Sequence, residues 1–163
     1  MTATSAPSEE IPVVCFELAR EIYAAEVRLV QEIIRLPDIA PVPRAPAFVE
    51  GMFNLRGKVV PVVDFRRVLG FPPQEHTKHT RVLIVEFNHQ LVGAIVDSVS
   101  QVTRLSSAAI EPPSRVVSRV ETAYLKGVAT IGQELALFLD LDRVLDAAQE
   151  KALASLDPGA EPR

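Results

Sequence analysis

The stretch Gly51-Met-Phe-Asn-Leu-Arg-Gly-Lys-Val-Val-Pro-Val-Val-Asp-Phe-Arg-Arg-Val-Leu69 decides the fold. It predicts a strand through Leu55, a two-residue turn at Arg56-Gly57, a second strand over Val59 to Val63 and a helical turn opened by Asp64. Gly57 admits the positive φ such a turn needs, β-branched residues suit a pleated surface, and Asp64 can cap free N–H groups. The chain then repeats the pattern. Gly127 to Leu145 aligns with Gly51 to Leu69 without a gap at an offset of 76, with the opening Gly, the capping Asp and the closing Arg-Val-Leu in register. The second copy turns on Gly132-Gln133, so the hairpin itself requires no Arg, and Arg56 becomes a candidate for function.

Working outward, a second repeat precedes each hairpin. Val13 to Leu18 and Ile22 to Ala25 predict paired strands around Ala19-Arg20-Glu21, followed by a helical turn over Glu26 to Val30 and an extended path from Gln31 to Leu36. Arg81 to Phe87, a turn at Asn88-His89, Leu91 to Val96 and a strand over Val99 to Leu105 restate that order at an offset of 69. Val27 then pairs with Val96, Val30 with Val99 and Ile33 with Val102. Two copies of one unit, about 16–69 and 85–145, cover nearly the whole body. Pro37, Pro41, Pro43 and Pro46 hold the approach to the first hairpin out of helix and ladder. Short strands at near-regular spacing predict an antiparallel all-β domain, as two small barrels, one per copy. Leu141, Val144, Leu145, Ala148, Ala152 and Leu156 follow helical spacing and predict a C-terminal helix ended by Pro158-Gly159. Residues 1–11 are expected to be a disordered tail, 12–146 the domain, and 147–163 the helix end and tail.

Composition narrows the function. Nearly half of the 163 residues are apolar, as in a globular domain. The net charge of −4 belongs to the ends, with −2 over residues 1–15 and −2 over 146–163, so residues 16–145 are neutral. A neutral body exerts no long-range pull on polyanions, which argues against nucleic acid or an anionic membrane as partner. The single Cys15 excludes an internal disulfide and suits a reducing cytoplasm. No apolar run approaches the ~20 residues of a membrane span, and the opening residues lack a signal peptide's basic and apolar regions. A cytoplasmic protein without direct membrane insertion is expected.

Chemistry-bearing patterns are scarce. Gly51 to Lys58 has the wrong glycine spacing for a phosphate loop, and Val59 stands where a magnesium-binding Ser or Thr belongs. Glu75, His76 and His79 lie on a polar linker without an evident fourth metal ligand. No acid, base and nucleophile set assembles. The expectation is no enzymatic activity and no cofactor or metal.

Several motifs in order resemble the CheW-like family, the coupling proteins of bacterial chemosensory arrays. They are residues 16–33 (Phe-Glu-Leu-Ala-Arg-Glu-Ile-Tyr-Ala-Ala-Glu-Val-Arg-Leu-Val-Gln-Glu-Ile), Phe48-Val-Glu-Gly51, Asn54-Leu-Arg-Gly57, Val59-Val-Pro-Val-Val-Asp64, Gly93-Ala-Ile-Val-Asp97-Ser-Val99 and Tyr124-Leu-Lys-Gly127. The resemblance covers about 16–146. It implies two five-stranded SH3-like barrels around a shared core, no catalysis, and a scaffold between the cytoplasmic tips of chemoreceptors (methyl-accepting chemotaxis proteins) and the regulatory domain of a CheA-type histidine kinase. It also implies association with receptor arrays at the inner membrane through those partners. Carried onto this chain, it implies a receptor-binding groove at Val30, Glu32, Gly51, Asn54, Arg56, Val99 and Val102. Glu32 and Arg56 either meet the receptor or pair with each other. The alternative reading is a small-molecule-sensing or enzymatic domain on duplicated SH3-like barrels, which needs a closed polar pocket.

Overall fold

The computed structural model describes residues 9–46, 48–112 and 122–155. Its strands are β1 (Glu10–Leu18), β2 (Glu21–Glu26), β3 (Val30–Arg35), β4 (Val49–Leu55), β5 (Lys58–Asp64), β6 (Arg81–Phe87), β7 (Gln90–Val96), β8 (Ser98–Ser106), β9 (Leu125–Ile131) and β10 (Glu134–Leu139). Helix α1 (Phe65–Val68) follows β5, and α2 (Leu141–Ser155) follows β10. The expected strands and both helices are present, with one difference at each end. Strand β1 begins at Glu10, inside the expected tail, because Glu10 and Ile11 pair with Ser106 and Leu105 of β8. Helix α2 runs to Ser155, while the expected helix residue Leu156 and the stop at Pro158-Gly159 lie outside the described residues.

The strands form two five-stranded sheets, ordered β8-β1-β2-β10-β9 and β3-β6-β7-β5-β4. The sequence copies and the sheets do not coincide, which corrects the expectation of one barrel per copy at 16–69 and 85–145. Each copy keeps its third strand and second hairpin in one sheet and lends its first hairpin to the other. The β1–β2 hairpin joins β8, β9 and β10; the β6–β7 hairpin joins β3, β4 and β5. The chain therefore crosses between sheets after β2, where Val27–Leu29 makes a 3-10 turn, and again at Asp97 between β7 and β8. Sequence similarity records the order of elements but carries no information on which edge a hairpin chooses.

The packing supports duplication residue by residue. One small core within the first sheet gathers Val13, Cys15, Ala24, Ala129 and Phe138 with Leu105. The core of the second sheet uses Val82, Ile84, Phe53 and Val62 at the equivalent positions, with Val60 and Ile95. The equivalent of Ala24 is Gly93, where an added Cβ would stand 2.9 Å from Val82 Cγ1. A third and larger core, including Phe16, Leu18, Tyr23, Leu83, Leu139 and Leu141, spans both sheets and packs α1 and α2 against them. Burial of this shared core makes one domain of two sheets. The helix caps match too. Asp64 Oδ1 accepts from the Arg66 N–H at 3.0 Å, and Asp140 Oδ1 from the Arg143 N–H at 3.2 Å. The Asp64 N–H donates to Phe48 O and the Asp140 N–H to Tyr124 O, at 2.7 and 2.8 Å.

Candidate functional site: a groove between the two edge strands

Strands β3 and β8 each form one edge of their sheet, opposite β4 and β9 respectively, and occupy equivalent places in the two copies. Between them lies a small cleft of about 180 Å³, lined by Val14, Val27, Val30, Gln31, Glu32, Ile33 and Val102. Three of the seven expected groove residues, Val30, Glu32 and Val102, thus meet in one place. Val102 and Ile33, 61% and 37% exposed, are two of the five large apolar side chains exposed among the described residues, and both line this cleft. Val30 and Val99 are half-buried and pack against the shared core; Val30 lines the cleft, while Val99, at the start of β8, does not.

Arg56 reaches the groove from the β4–β5 turn. Its Nη2 donates to Glu32 Oε1 at 2.5 Å and its Nη1 to Oε2 at 3.2 Å, a two-pronged guanidinium–carboxylate pair. Beside it a second depression of about 280 Å³ is lined by Gln31, Glu32, Leu55, Arg56, Lys58, Ile84 and Leu91. The hydrogen bond from Arg56, and then its charge, hold the Glu32 carboxyl below its ordinary value, and Glu32 raises Arg56 in turn. Arg56 has a φ of 50°, in the left-handed region that Gly57 shares at 89°. In the second copy only Gly132 does, so the two turns differ in type as well as in charge.

Asn54 and Gly51 have structural roles on view. Asn54 Oδ1 accepts from the Gly57 N–H at 2.8 Å and closes the turn that carries Arg56. Gly51 is buried at a bulge in β4, and an added Cβ would stand 2.2 Å from Ala40 O. Its equivalent Gly127 is pressed in the same way, 2.6 Å from Glu111 O.

Sequence reasoning missed Gln31, Ile33, Val27 and Val14 as lining residues. Exposure alternates along β3, where Gln31, Ile33 and Arg35 face out, but the residues Gln-Glu-Ile-Ile-Arg show no polar and apolar alternation from which this could be read. It also missed the pair of Arg66 and Asp97, where Arg66 Nε and Nη2 donate to Asp97 Oδ1 and Oδ2 at 2.8 and 2.7 Å. Elsewhere, His76 Nε2 lies 3.6 Å from Glu50 Oε2, and no cluster of three or more His, Cys, Asp or Glu side chains fit for a metal occurs among the described residues. Burial pushes the Cys15 thiol above its ordinary value. No helix among the described residues is long and apolar enough to cross a membrane.

Comparison with known proteins places the family and the fold. The family model described as "CheW-like domain" matches residues 12–149. The chain is 30% identical over 138 residues to a chemotaxis protein CheW of Klebsiella aerogenes, covering 85% of this chain and 82% of that one. It is also 30% identical over 138 residues to a chemotaxis protein CheW of Thermotoga maritima, covering 85% of this chain and 89% of the relative. The crystal structure of the scaffolding protein TtCheW from Thermoanaerobacter tengcongensis superposes with a TM-score of 0.75 at 32% identity, covering 88% of this chain and 91% of that one. With a family model spanning most of its length and relatives at this level over most of theirs, the chain belongs to the CheW-like family.

Proposed function

We propose that the chain bridges the cytoplasmic tip of a chemoreceptor to the regulatory domain of a CheA-type histidine kinase, with the receptor docking in the groove between β3 and β8. As a CheW-like protein it is a non-enzymatic scaffold of a chemosensory pathway. The observation that carries the docking site is the exposed Val102 opposite Val30, flanked by the Glu32–Arg56 pair. An apolar ridge on a helical partner can bury against Val102 and Val30 while the charge pair borders it. The competing enzymatic or sensing role would need convergent donors or acids in a closed pocket, and the groove offers an open apolar strip instead.

The test is calorimetry with two partners, a receptor-tip fragment and the kinase regulatory domain. Val102→Asp places an unpaired charge on the docking strip at little cost to a 61% exposed position. Receptor binding is expected to fall at least tenfold, about 1.4 kcal/mol, while kinase binding is unchanged. Equal receptor binding by wild type and variant would refute the groove.

A further inference from the structure

Both edge strands of the groove, β3 and β8, begin just after a crossover between sheets. Asp97 stands two residues before Val99, and Arg28 two residues before Val30, at equivalent positions of the two copies. The Asp97 crossover is clamped from three sides. Arg66, in α1, makes its two-pronged bond to the carboxylate. The Ala19 N–H, at the β1–β2 turn of the other sheet, donates to Asp97 Oδ2 at 2.9 Å. The Asp97 N–H donates to Glu17 O at 3.0 Å. Arg66 is itself fixed by Pro72 O at 2.9 Å and by Gln74 Oε1. Its side chain is only 12% exposed, so the pair is shielded from solvent in a way the Glu32–Arg56 pair is not.

The equivalent positions in the other copy carry the opposite charges. Asp97 corresponds to Arg28 and Arg66 to Asp142, the second residue of α2. Arg28 hydrogen-bonds Glu26 at 2.7 Å, and its charge is favoured first by that bond and also by the field of Asp142. Glu26 in turn bonds Lys126. The Arg28 side chain is 68% exposed, so this second clamp is loose where the first is tight.

We infer that Arg66 and Asp97 are positioning residues for the groove: they lock the crossover into β8 against both sheets and so fix Val99 and Val102 relative to Val30 on β3. This deepens the docking reading above and rests on it for its functional consequence. A clamp with no role in spacing would be expected anywhere on the surface. This one ties the α1 of one sheet, the β1–β2 turn of the other and the first residue upstream of a groove strand. Arg66 and Asp97 need not touch the partner to control its affinity, because a groove wall displaced by about 1 Å loses most of its complementarity.

The experiment reads the groove directly. Spin labels on Arg35→Cys in β3 and Arg104→Cys in β8, both exposed and equivalent in the two copies, report the distance between the strands. Native Cys15 is fully buried, so it stays unlabelled. Arg66→Asp and Asp97→Arg are each expected to broaden the distance distribution and to weaken binding of the receptor-tip fragment at least tenfold. The double swap recreates the polarity already present at Arg28 and Asp142 but leaves the Ala19 N–H without its acceptor, so it is expected to narrow the distribution and recover binding only in part, to a level above either single reversal. Should either reversal unfold the chain, Asp97→Asn, which keeps an acceptor for the Ala19 N–H, is expected to broaden the distribution in the same way. An unchanged distribution in folded variants overturns the clamp. Broadened distances with full receptor binding would leave the clamp standing and refute the groove as the docking site.

Discussion

Replacing Gly51 by Ala separates a residue that builds the groove from one that contacts a partner. Gly51 has a φ of 151°, and an Ala Cβ there would lie 2.2 Å from Ala40 O and 2.7 Å from Ile39 Cγ2. The first of these is backbone and cannot step aside without breaking the Ala40–Met52 bridge. That bridge consists of two hydrogen bonds, Ala40 N–H to Met52 O at 2.8 Å and Met52 N–H to Ala40 O at 2.9 Å. At about 1 kcal/mol net for each bond, the bridge is worth about 2 kcal/mol. Forcing an L side chain into a φ it rarely adopts adds roughly 1–3 kcal/mol. Gly51→Ala should therefore cost about 3–5 kcal/mol, and at 2–4 °C per kcal/mol for a chain this size the midpoint should fall by about 6–20 °C. Gly127→Ala is the internal control. It faces Glu111 O at 2.6 Å and the side chain of Ile110 at 2.4 Å, but its φ lies outside the positive range. Its cost should be smaller by the strain alone, about 1–3 kcal/mol. Urea unfolding of both variants measures the difference. A Gly51→Ala protein as stable as wild type, or no less stable than Gly127→Ala, would refute the close-approach argument and return Gly51 to the list of contact residues.

Three further outcomes are expected. Ala19 and Arg20 form a hairpin turn with φ of 52° and 70°, a conformation costly to both, so Arg20→Gly should stabilise by about 1 kcal/mol; a thermal midpoint that falls instead would show that Arg20 contributes a contact outweighing its strain. Asp64 is a buried carboxylate whose titration is pushed above its ordinary value of 3.8 first by desolvation. A raised folded-state value means that its stabilising contribution is present below pH 3.8 and is lost as pH rises through the folded value. Asp64→Asn keeps an acceptor for the Arg66 N–H, so it should gain on wild type as pH rises from 3.8; a stability difference that does not vary with pH contradicts this. Cys15, fully buried in the core of the first sheet, should react with a thiol reagent only at the rate of global opening, and labelling faster than unfolding would show a local route to it.

Much of the fold was legible because duplication doubles every signal. The Gly51 to Leu69 pattern is weak alone, but its ungapped return at Gly127 to Leu145 fixed hairpin, turn and helix cap together, and the shared Asp64 and Asp140 caps follow it. The exchange of first hairpins between sheets was not legible. It is decided by long-range pairing such as β5 with β7 and β10 with β2, and a strand's sequence does not name its neighbour. Among the groove residues, the comparison of copies set Arg56 apart as specific to one half, and the structure joins it to Glu32. The same comparison held the reversed charges at Arg28, Asp97, Arg66 and Asp142, but only a contact could give them meaning, since single charges on short elements usually mark no more than a solvated face.

The Glu32–Arg56 pair offers the most direct test of receptor docking in the groove. Glu32→Lys and Arg56→Glu each break a two-pronged bond between exposed side chains, so the thermal midpoint should hardly move, as circular dichroism melts would show. Calorimetry against a receptor-tip fragment is expected to give at least tenfold weaker binding for each, and near wild-type binding for Glu32→Arg combined with Arg56→Glu, because the swap restores the fork that borders the groove. Full binding by both single variants would contradict the account.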